Sequence, residues 1–508
     1  MRKRLIFAIM VMGFSGLVAQ ILLLRELLII FYGNELSIGI ILANWLILEA
    51  FGCFFLGKRI GHFKRRIGAF VGLQLIFSLY LPLAIYLIRT LKDIIGVSAG
   101  EGLGLIPMLC SSFLILLPIS VSHGALFTFG CKLYSLYSSD KGRSLPDAWQ
   151  AGASGSKQQG AQSIGKVYIY ETIGTILGGI GLTYLLIPYF HSFQIAFGVS
   201  LLNIILCAYL LGPFWQKKQI ATNKVLGSLS GALLVVCAYL LFSPESDKIQ
   251  QFSVNQQWKG QEVLHYQNST YGNVVVTKRE GQYTLFSDGI PIITSPVPDI
   301  TFVEEFVHLP MLSHLQPKEI LVISGGAGGL INEILKHPVE RVDYAELDPL
   351  ILEAVRRFPT ALTEGELSDP RVNIKHIDGR LFVKTSLHKY DLVLVGLSNP
   401  SDLQVNRLFT KEFFSLVLKR LKEEGILVIS LPGSLTYLSE ELKNLNTCIL
   451  NTLETIYPYV RAIPGDGTNL YLASTSPGVS LINHSQLSQR LKERKLNLSL
   501  LTPGHIEY

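Results

Sequence analysis

The sequence predicts an α-helical membrane bundle of about seven spans, then a small β-domain, then an α/β Rossmann-like domain. Three observations carry that prediction. Long apolar runs are concentrated before residue 245, several of them long enough to cross a bilayer. Residues 262–294 alternate in hydropathy and turn at Gly272, Gly281 and Asp288-Gly289, as antiparallel strands do. Residues 319–348 read as a buried strand, a glycine-rich turn, a helix, a second strand and an acidic residue at its end. The expected boundaries are 1–244 for the bundle, 245–297 for a small antiparallel β-region and 298–508 for the Rossmann-like domain.

Composition agrees. A chain of 508 residues has room for two or more domains. A hydrophobic fraction of 49% and a mean hydropathy of +0.38 are too apolar for an ordinary soluble protein of this size. The formal charge of +6 is modest, and its Lys/Arg clusters lie at the ends of apolar runs. They read as membrane orientation signals, so the bilayer is an expected partner and nucleic acid is not. Of the six cysteines, Cys53, Cys110, Cys131, Cys207 and Cys237 lie in or beside apolar spans, and Cys448 stands alone. Their spacing suggests neither a metal site nor a disulfide framework.

The spans are expected near 5–31, 37–57, 68–88, 104–130, 168–190, 194–213 and 225–243. The opening Met-Arg-Lys-Arg resembles a signal peptide, but the run behind it exceeds the roughly 7–15 residues of a signal core and has no small-residue cleavage site, so it reads as a retained first span. Residues 135–166, rich in Ser, Gly and Gln (Gln150, Gln158, Gln159, Gln162), read as a flexible polar loop. Basic residues follow the second span (Lys58, Arg59, Lys64, Arg65, Arg66), the fourth (Lys132, Lys141, Arg143, Lys157, Lys166) and the sixth (Lys217, Lys218, Lys224). With Arg2, Lys3 and Arg4 they put the N-terminus inside a cell membrane. Seven crossings then leave residue 245 onward outside. A break in 104–130, which holds Pro107, Pro118 and Gly124, would supply an eighth crossing, so the side of the C-terminal domain stays open.

Ionisable residues within spans are costly and are functional candidates by default. They are Arg25, Glu26, Glu49, His123 and Glu171. Arg25 and Glu26 lie near a span end and can reach the interface. Glu49 sits mid-span, and Glu171 lies close to the start of its span. Interhelical pairing is the favoured reading, and a polar pathway for a cation or amine is the alternative.

In the C-terminal half, strands are expected at 319–323, 341–345, 372–376, 391–395 and 425–430, a mainly parallel sheet covered by helices. Gly325, Gly326, Gly328 and Gly329 let the backbone approach a ligand closely. Glu346 closes the second strand about 20 residues later, where a carboxylate accepts ribose hydroxyls. Asp378-Gly379 after the third strand is an adenine-contact candidate.

These residues, taken with their neighbours, resemble the spermidine synthases, the polyamine aminopropyltransferases, over 265–432. The likeness is carried by Ser269-Thr270-Tyr271, Leu285-Phe286-Ser287-Asp288-Gly289, Glu304 with His308, Ser324–Gly329, Glu333, Lys336-His337, Glu346-Leu347-Asp348, Asp369-Pro370-Arg371-Val372, Asp378-Gly379-Arg380, Leu408-Phe409-Thr410 with Phe413, and Asn469–Ser474. The bundle resembles that of bacterial proteins in which a membrane domain is fused to such a domain. The resemblance implies an S-adenosylmethionine-methyltransferase-type fold with no prosthetic group. It implies decarboxylated S-adenosylmethionine as co-substrate, an amine such as putrescine as acceptor, and a homodimer as a possible assembly. Tyr271, Asp288, Glu304 and His308 become the substrate-side candidates.

The implied reaction moves an aminopropyl group from a sulfonium to an amine nitrogen, which must first lose a proton to a base. In the family an Asp in the turn grips the donor's amine, and an Asp in an Asp-Ser-x-Asp-Pro loop is the base. Here Ala327 stands in the turn, Gly396 at the base position and Asn399 at the second carboxylate. Gly272 and Phe302-Val303 also depart from the family pattern. Asp402 is the nearest carboxylate that can substitute, if its loop turns inward. The sequence therefore leaves several readings open: a membrane-anchored aminopropyltransferase weakened by these replacements, a non-catalytic nucleoside- or polyamine-binding regulator of the bundle, a transporter-like protein, and a methyltransferase using intact S-adenosylmethionine.

Overall fold

The computed structural model describes residues 1–59, 66–97, 101–138, 153–215, 221–397 and 399–507. Lys64, Arg65, Lys141, Arg143, Gln150, Lys217, Lys218 and Ser398 lie outside the described residues. The chain divides into two compact units, Met1–Asn273 and Val274–Tyr508.

The first unit is built on α1 (Arg2–Phe31), α2 (Glu35–Phe51, continued by a π-helical turn over Gly52–Leu56), α3 (Arg66–Ile95), α4 (Leu105–Ser138), α5 (Ala153–Gly181, with a π-helical turn over Leu182–Leu186), α6 (Ser192–Trp215) and α7 (Ala221–Phe242). Among the described residues these supply seven helices long and apolar enough to cross a membrane. A shorter polar helix α8 (Glu245–Gln257) and strand β1 (Glu262–Asn268) follow. The region expected to open with strands at 245 thus opens with a helix, started by Glu245 and Asp247 in its first turn, where acidic side chains suit the helix dipole.

Two expectations change. Residues 153–166, read as loop, belong to α5, which therefore carries Glu171 in its interior and not near its start. The helix α4 runs without a break through Pro118, so the sought eighth crossing does not arise there.

Glycine sets how closely the helices cross. A Cβ at Gly174 would lie 1.9 Å from the Met10 carbonyl oxygen, and one at Gly13 2.1 Å from that of Glu171. The backbones of α1 and α5 therefore touch, as small residues allow in membrane helices. Gly124 meets the Glu49 carbonyl, and Gly52 that of Val121, at the same kind of α2–α4 crossing.

Glu26 and Arg25 are both engaged by protein groups. Glu26 is buried and takes two 2.8 Å bonds from Arg89 of α3, itself fully buried, and one from Ser192 at 2.5 Å. Arg89 also bonds Gln250 and Ser253 of α8 at 2.8 Å each. Arg25 donates to the carbonyls of Ser269 (2.9 Å) and Gly272 (3.1 Å). Arg89 lies just beyond the expected third span, so its pairing was not visible in the apolar pattern.

In the second unit, β2 (Asn273–Arg279), β3 (Gln282–Ser287) and β4 (Ile290–Ser295) form an antiparallel meander. After α9 (Ile300–Ser313) comes a seven-stranded sheet. Its strands are β5 (Glu319–Ile323), β6 (Arg341–Glu346), β7 (Val372–His376), β8 (Tyr390–Val395), β9 (Leu421–Gly433), β10 (Tyr459–Ile463) and β11 (Gly467–Ser474), in spatial order β10-β11-β9-β8-β5-β6-β7. All neighbours pair in parallel except β11, which is antiparallel to both β9 and β10. This is the Rossmann-like order of the methyltransferase type, with the direction of winding reversing between β5 and β8. Each of the five strands expected from apolar runs is present. β5, β8 and the middle of β9 are nearly continuous in Val, Ile and Leu and buried, whereas β6 and β7 mix in polar residues.

Removing one partner of the buried pair leaves an uncompensated charge. Arg89→Met is expected to lower the stability of the detergent-solubilised chain by about 3–5 kcal/mol. The double change Arg89→Met with Glu26→Leu should lose less, as read from thermal unfolding.

Candidate functional site

The carboxyl ends of β5, β6 and β7 gather most of the expected nucleoside residues. Ser324 N donates to the Ala345 carbonyl at 2.9 Å, so the glycine turn leaves β5 directly beside Glu346. Glu346 pairs with His376 in register, and Asp378 follows two residues later. The turn needs its glycines. Gly325, Gly328 and Gly329 have φ of +64°, +90° and +121°. A Cβ at Gly326 would lie 2.8 Å from the Tyr344 ring. The turn leads into α10 (Leu330–Leu335), with α11 (Pro349–Arg357) and α12 (Ala361–Ser368) after β6 and α13 (Gly379–Thr385) after β7. Gly379 packs on β5, where its Cβ would meet Ile323 Cγ2 at 2.2 Å.

Glu346 is buried. Its Oε2 accepts from Tyr344 Oη at 2.7 Å, and its Oε1 from Leu347 N at 3.0 Å. Burial pushes its pKa up against these donors and the Gly325 amide. Tyr344 in turn takes the amides of Ala327 and Gly326, so the turn and the acidic residue are locked through one phenol. Asp378 caps α13 through Leu381 N at 2.9 Å and pairs with Arg407.

A carboxylate that the sequence reading missed completes the turn. Glu366 of α12 is fully buried and accepts from the amides of Gly328 (2.5 Å), Gly329 (3.0 Å) and Asn332 (3.3 Å). It thereby satisfies donors at the start of α10 that the helix itself leaves unpaired. Burial raises its pKa to about 7 despite the three amides. Nothing local in the sequence marks Glu366, because its partners lie more than 30 residues away. Tyr344 and Arg407 were missed as well.

The substrate-side candidates have other duties. Tyr271 lies in the first unit, 53% exposed, in the Ser269–Gly272 loop that Arg25 grips. Asp288 turns the β3–β4 hairpin, with φ +47° followed by Gly289 at +82°, the pattern of a two-residue type I′ turn. Both oxygens of Glu304 are taken by the amides of Ser499, Leu500 and Leu501 at 2.6–2.8 Å. Burial raises its pKa, but these amides outweigh it and hold the group below the ordinary range. His308 is fully buried between His337 (2.8 Å) and Glu333 (2.9 Å). Burial and the neighbouring His308, Arg494 and Lys336 push His337 down to about 2, so it stays neutral. Glu304 and His308 thus hold the C-terminal segment and the α9–α10 contact.

The amine-side positions are equally constrained. Ala327 is buried in the apolar core of the unit. A Cβ on Gly396 would lie 2.3 Å from the Ser324 carbonyl oxygen, and one on Gly325 2.5 Å from that of Gly396. The end of β8 and the glycine turn therefore pack backbone on backbone, and a carboxylate at 396 has no room. Asp402 caps the short helix α14 (Leu403–Asn406) through Val405 N at 2.8 Å. A groove of about 410 Å³ between α11 and α12 is lined by Val355, Arg356, Pro359, Thr363, Glu364 and Leu367; it includes no residue of the turn.

Two outcomes follow. Gly396→Asp should cost about 1–3 kcal/mol by overpacking and bring no gain in aminopropyl transfer, alone or with Ala327→Asp. For Glu366, the folded pKa lies above the ordinary 4.5. The folded unit therefore keeps a proton that the unfolded chain releases, and this contribution is full below about pH 4.5 and lost as pH rises through about 7. Glu366→Gln should flatten that part of the stability–pH curve, while Glu366→Ala should unfold at lower temperature at every pH because three amides lose their acceptor.

The spermine/spermidine synthase domain model matches residues 301–480. The polyamine aminopropyltransferase of Oceanobacillus iheyensis is 31% identical over 272 residues, covering 53% of this chain and 52% of that protein. The Bacillus subtilis protein of the same name is 35% identical over 172 residues, covering 34% of this chain and 61% of that protein. The chain thus spans only about half to three-fifths of those two relatives. The Thermoanaerobacter sp. polyamine aminopropyltransferase is 31% identical over 226 residues, 44% of this chain and 77% of that protein. Among solved structures, a spermidine synthase in complex with the transition state analogue AdoDATO has 23% identity and a TM-score of 0.42, over 48% of this chain and 83% of that one. Identity of 31% sustained over three quarters of the Thermoanaerobacter protein shows that this chain belongs to the polyamine aminopropyltransferase family.

Proposed function

We propose that this chain is a membrane-anchored, spermidine-synthase-like protein that binds decarboxylated S-adenosylmethionine and transfers its aminopropyl group to putrescine or a related amine slowly. The observation that carries the nucleoside half is the convergence of the glycine turn, Glu346 and Asp378 on three adjacent strand ends. The glycines let an adenosyl ligand approach the backbone, and Glu346 can accept from ribose hydroxyls with the lone pairs that Tyr344 and Leu347 leave. Seven helices of sufficient length and apolarity support the anchor.

The slow rate follows from the carboxylates. Attack at the carbon beside the sulfonium needs a deprotonated amine held in line. Each carboxylate at these strand ends already serves the protein: Glu346 holds Tyr344, Asp378 holds Arg407, Glu366 holds the turn, Asp348 caps α11 and Asp402 caps α14. A missing general base costs about 10²–10⁴-fold in rate.

A second reading, a non-catalytic nucleoside- or polyamine-binding regulator of the bundle, is favoured by the packing of Gly396 against Ser324, which excludes the family's base outright.

Calorimetric titration of the full chain in detergent with decarboxylated S-adenosylmethionine and methylthioadenosine, alongside product detection with putrescine, separates the readings. Binding with turnover about 10²–10⁴-fold below a relative that keeps both carboxylates supports the transferase. Binding with no product supports the regulator, and binding of neither ligand by a folded chain sinks both. Glu346→Ala should weaken nucleoside binding by about tenfold to a hundredfold; unchanged affinity would refute the site.

A further inference from the structure

Three titratable side chains of the bundle lie within electrostatic reach of one another and take no part in the chemistry above. They are Glu49 on α2, His123 on α4 and Glu171 on α5. His123 Nδ1 lies 2.8 Å from Glu49 Oε1. The residue is 7% exposed, and its other nitrogen, Nε2, is buried with no side-chain partner, only the Met12 carbonyl near it. That nitrogen faces α1, at Gly16 and the Met12 carbonyl. A Cβ at Gly16 would lie 2.1 Å from it, so a glycine there is what leaves the imidazole its place. Glu171 bonds Thr175 at 3.2 Å where α5 crosses Gly13, within electrostatic reach of both His123 and Glu49. The other neighbours of the imidazole are the rings of Phe77 on α3 and Trp45 on α2, centred 6.1 and 6.3 Å away. Cys53 lies beyond Glu49, bonded to the Gly124 carbonyl at 3.0 Å.

The unmet polar capacity extends along the interior. Gln74 Oε1 on α3, Ser120 Oγ on α4 and Asn203 Nδ2 on α6 are also buried without a partner. Gln74 Nε2 and Ser15 Oγ both donate to Asn203 Oδ1, at 2.5 and 3.1 Å. Ser120 is one turn from His123, Ser15 adjoins Gly16, and Gln74 is one turn from Phe77. Each unmet buried group costs about 1–3 kcal/mol, so several in one apolar bundle call for a function. The π-helical turn that begins three residues after Glu49 is a further departure of the kind found at functional sites.

We propose that this cluster is a proton relay through the bundle, with His123 as the exchanging group between Glu49 and Glu171. The proposal rests on the membrane-spanning reading. A proton leaves the Glu49 carboxyl for Nδ1 while the Nε2 proton departs, through a water molecule, toward Glu171. The imidazole ends as the other tautomer with its charge unchanged, and reverse transfer or ring rotation resets it. The buried amides and hydroxyls of Gln74, Ser120 and Asn203 line the water path.

The test uses the full chain in proteoliposomes, with a valinomycin-set potassium potential and a pH-sensitive dye inside. Proton flux severalfold above protein-free vesicles is expected, falling to that baseline in His123→Ala and clearly reduced in the conservative Glu171→Gln. Thermal unfolding of each variant checks that it is folded. Inserted wild-type chain with baseline flux would overturn the relay alone, as would flux unchanged in Glu171→Gln and His123→Ala. Extraction of the chain from vesicles by alkaline carbonate would overturn the membrane reading and the relay with it.

Discussion

Contact between two peptide backbones, Gly325 against Gly396, governs what the strand ends can do. It brings the glycine turn within van der Waals reach of β8 and so narrows the crevice where the winding of the sheet reverses. It also decides which side chains are admissible there, because even a methyl group at either position would strike a carbonyl oxygen. The proposed nucleoside half of the site depends on this closeness, and the positions of the proposed amine half are limited by it. Tyr344 and Glu366 then fix the turn from opposite sides, one by a phenol and one by a carboxylate.

The same physical device recurs in the bundle. Gly13 and Gly174 let α1 and α5 touch, and Gly52 and Gly124 let α2 and α4 touch. Close crossing leaves little volume for loose side chains between these helices. The buried pair of Glu26 and Arg89 adds specificity of a different kind, since its charges fix which faces of α1 and α3 may meet.

Much of the fold was legible in the sequence. The five central strands are apolar runs bounded by turns, and a helix-covered sheet gives that pattern little freedom to mislead. The nearness of the glycine turn to Glu346 was legible because two adjacent parallel strands joined by one helix bring their carboxyl ends side by side. What escaped was set by contacts between distant segments. Glu304 and His308 have residue types suited to a ligand, yet their partners are the amides of 499–501 and the side chains of Glu333 and His337. Glu366 looks like an ordinary helix glutamate until its helix is placed against the turn. The helical start at Ala153 escaped because the Ser and Gly residues there are weak helix formers and the stretch carries no apolar periodicity.

The grip of Arg25 on Ser269 and Gly272 has a consequence for how such a chain can be cut. The loop that bears Tyr271 is separated from the first helix by more than 240 residues, yet its carbonyls are answered by that helix's guanidinium. A fragment that begins after the last apolar helix keeps the loop but loses its anchor. The apparent modularity of the chain, with an apolar half in front and a more polar half behind, therefore misplaces the seam: the loop is inherited with the bundle and not with the sheet it precedes.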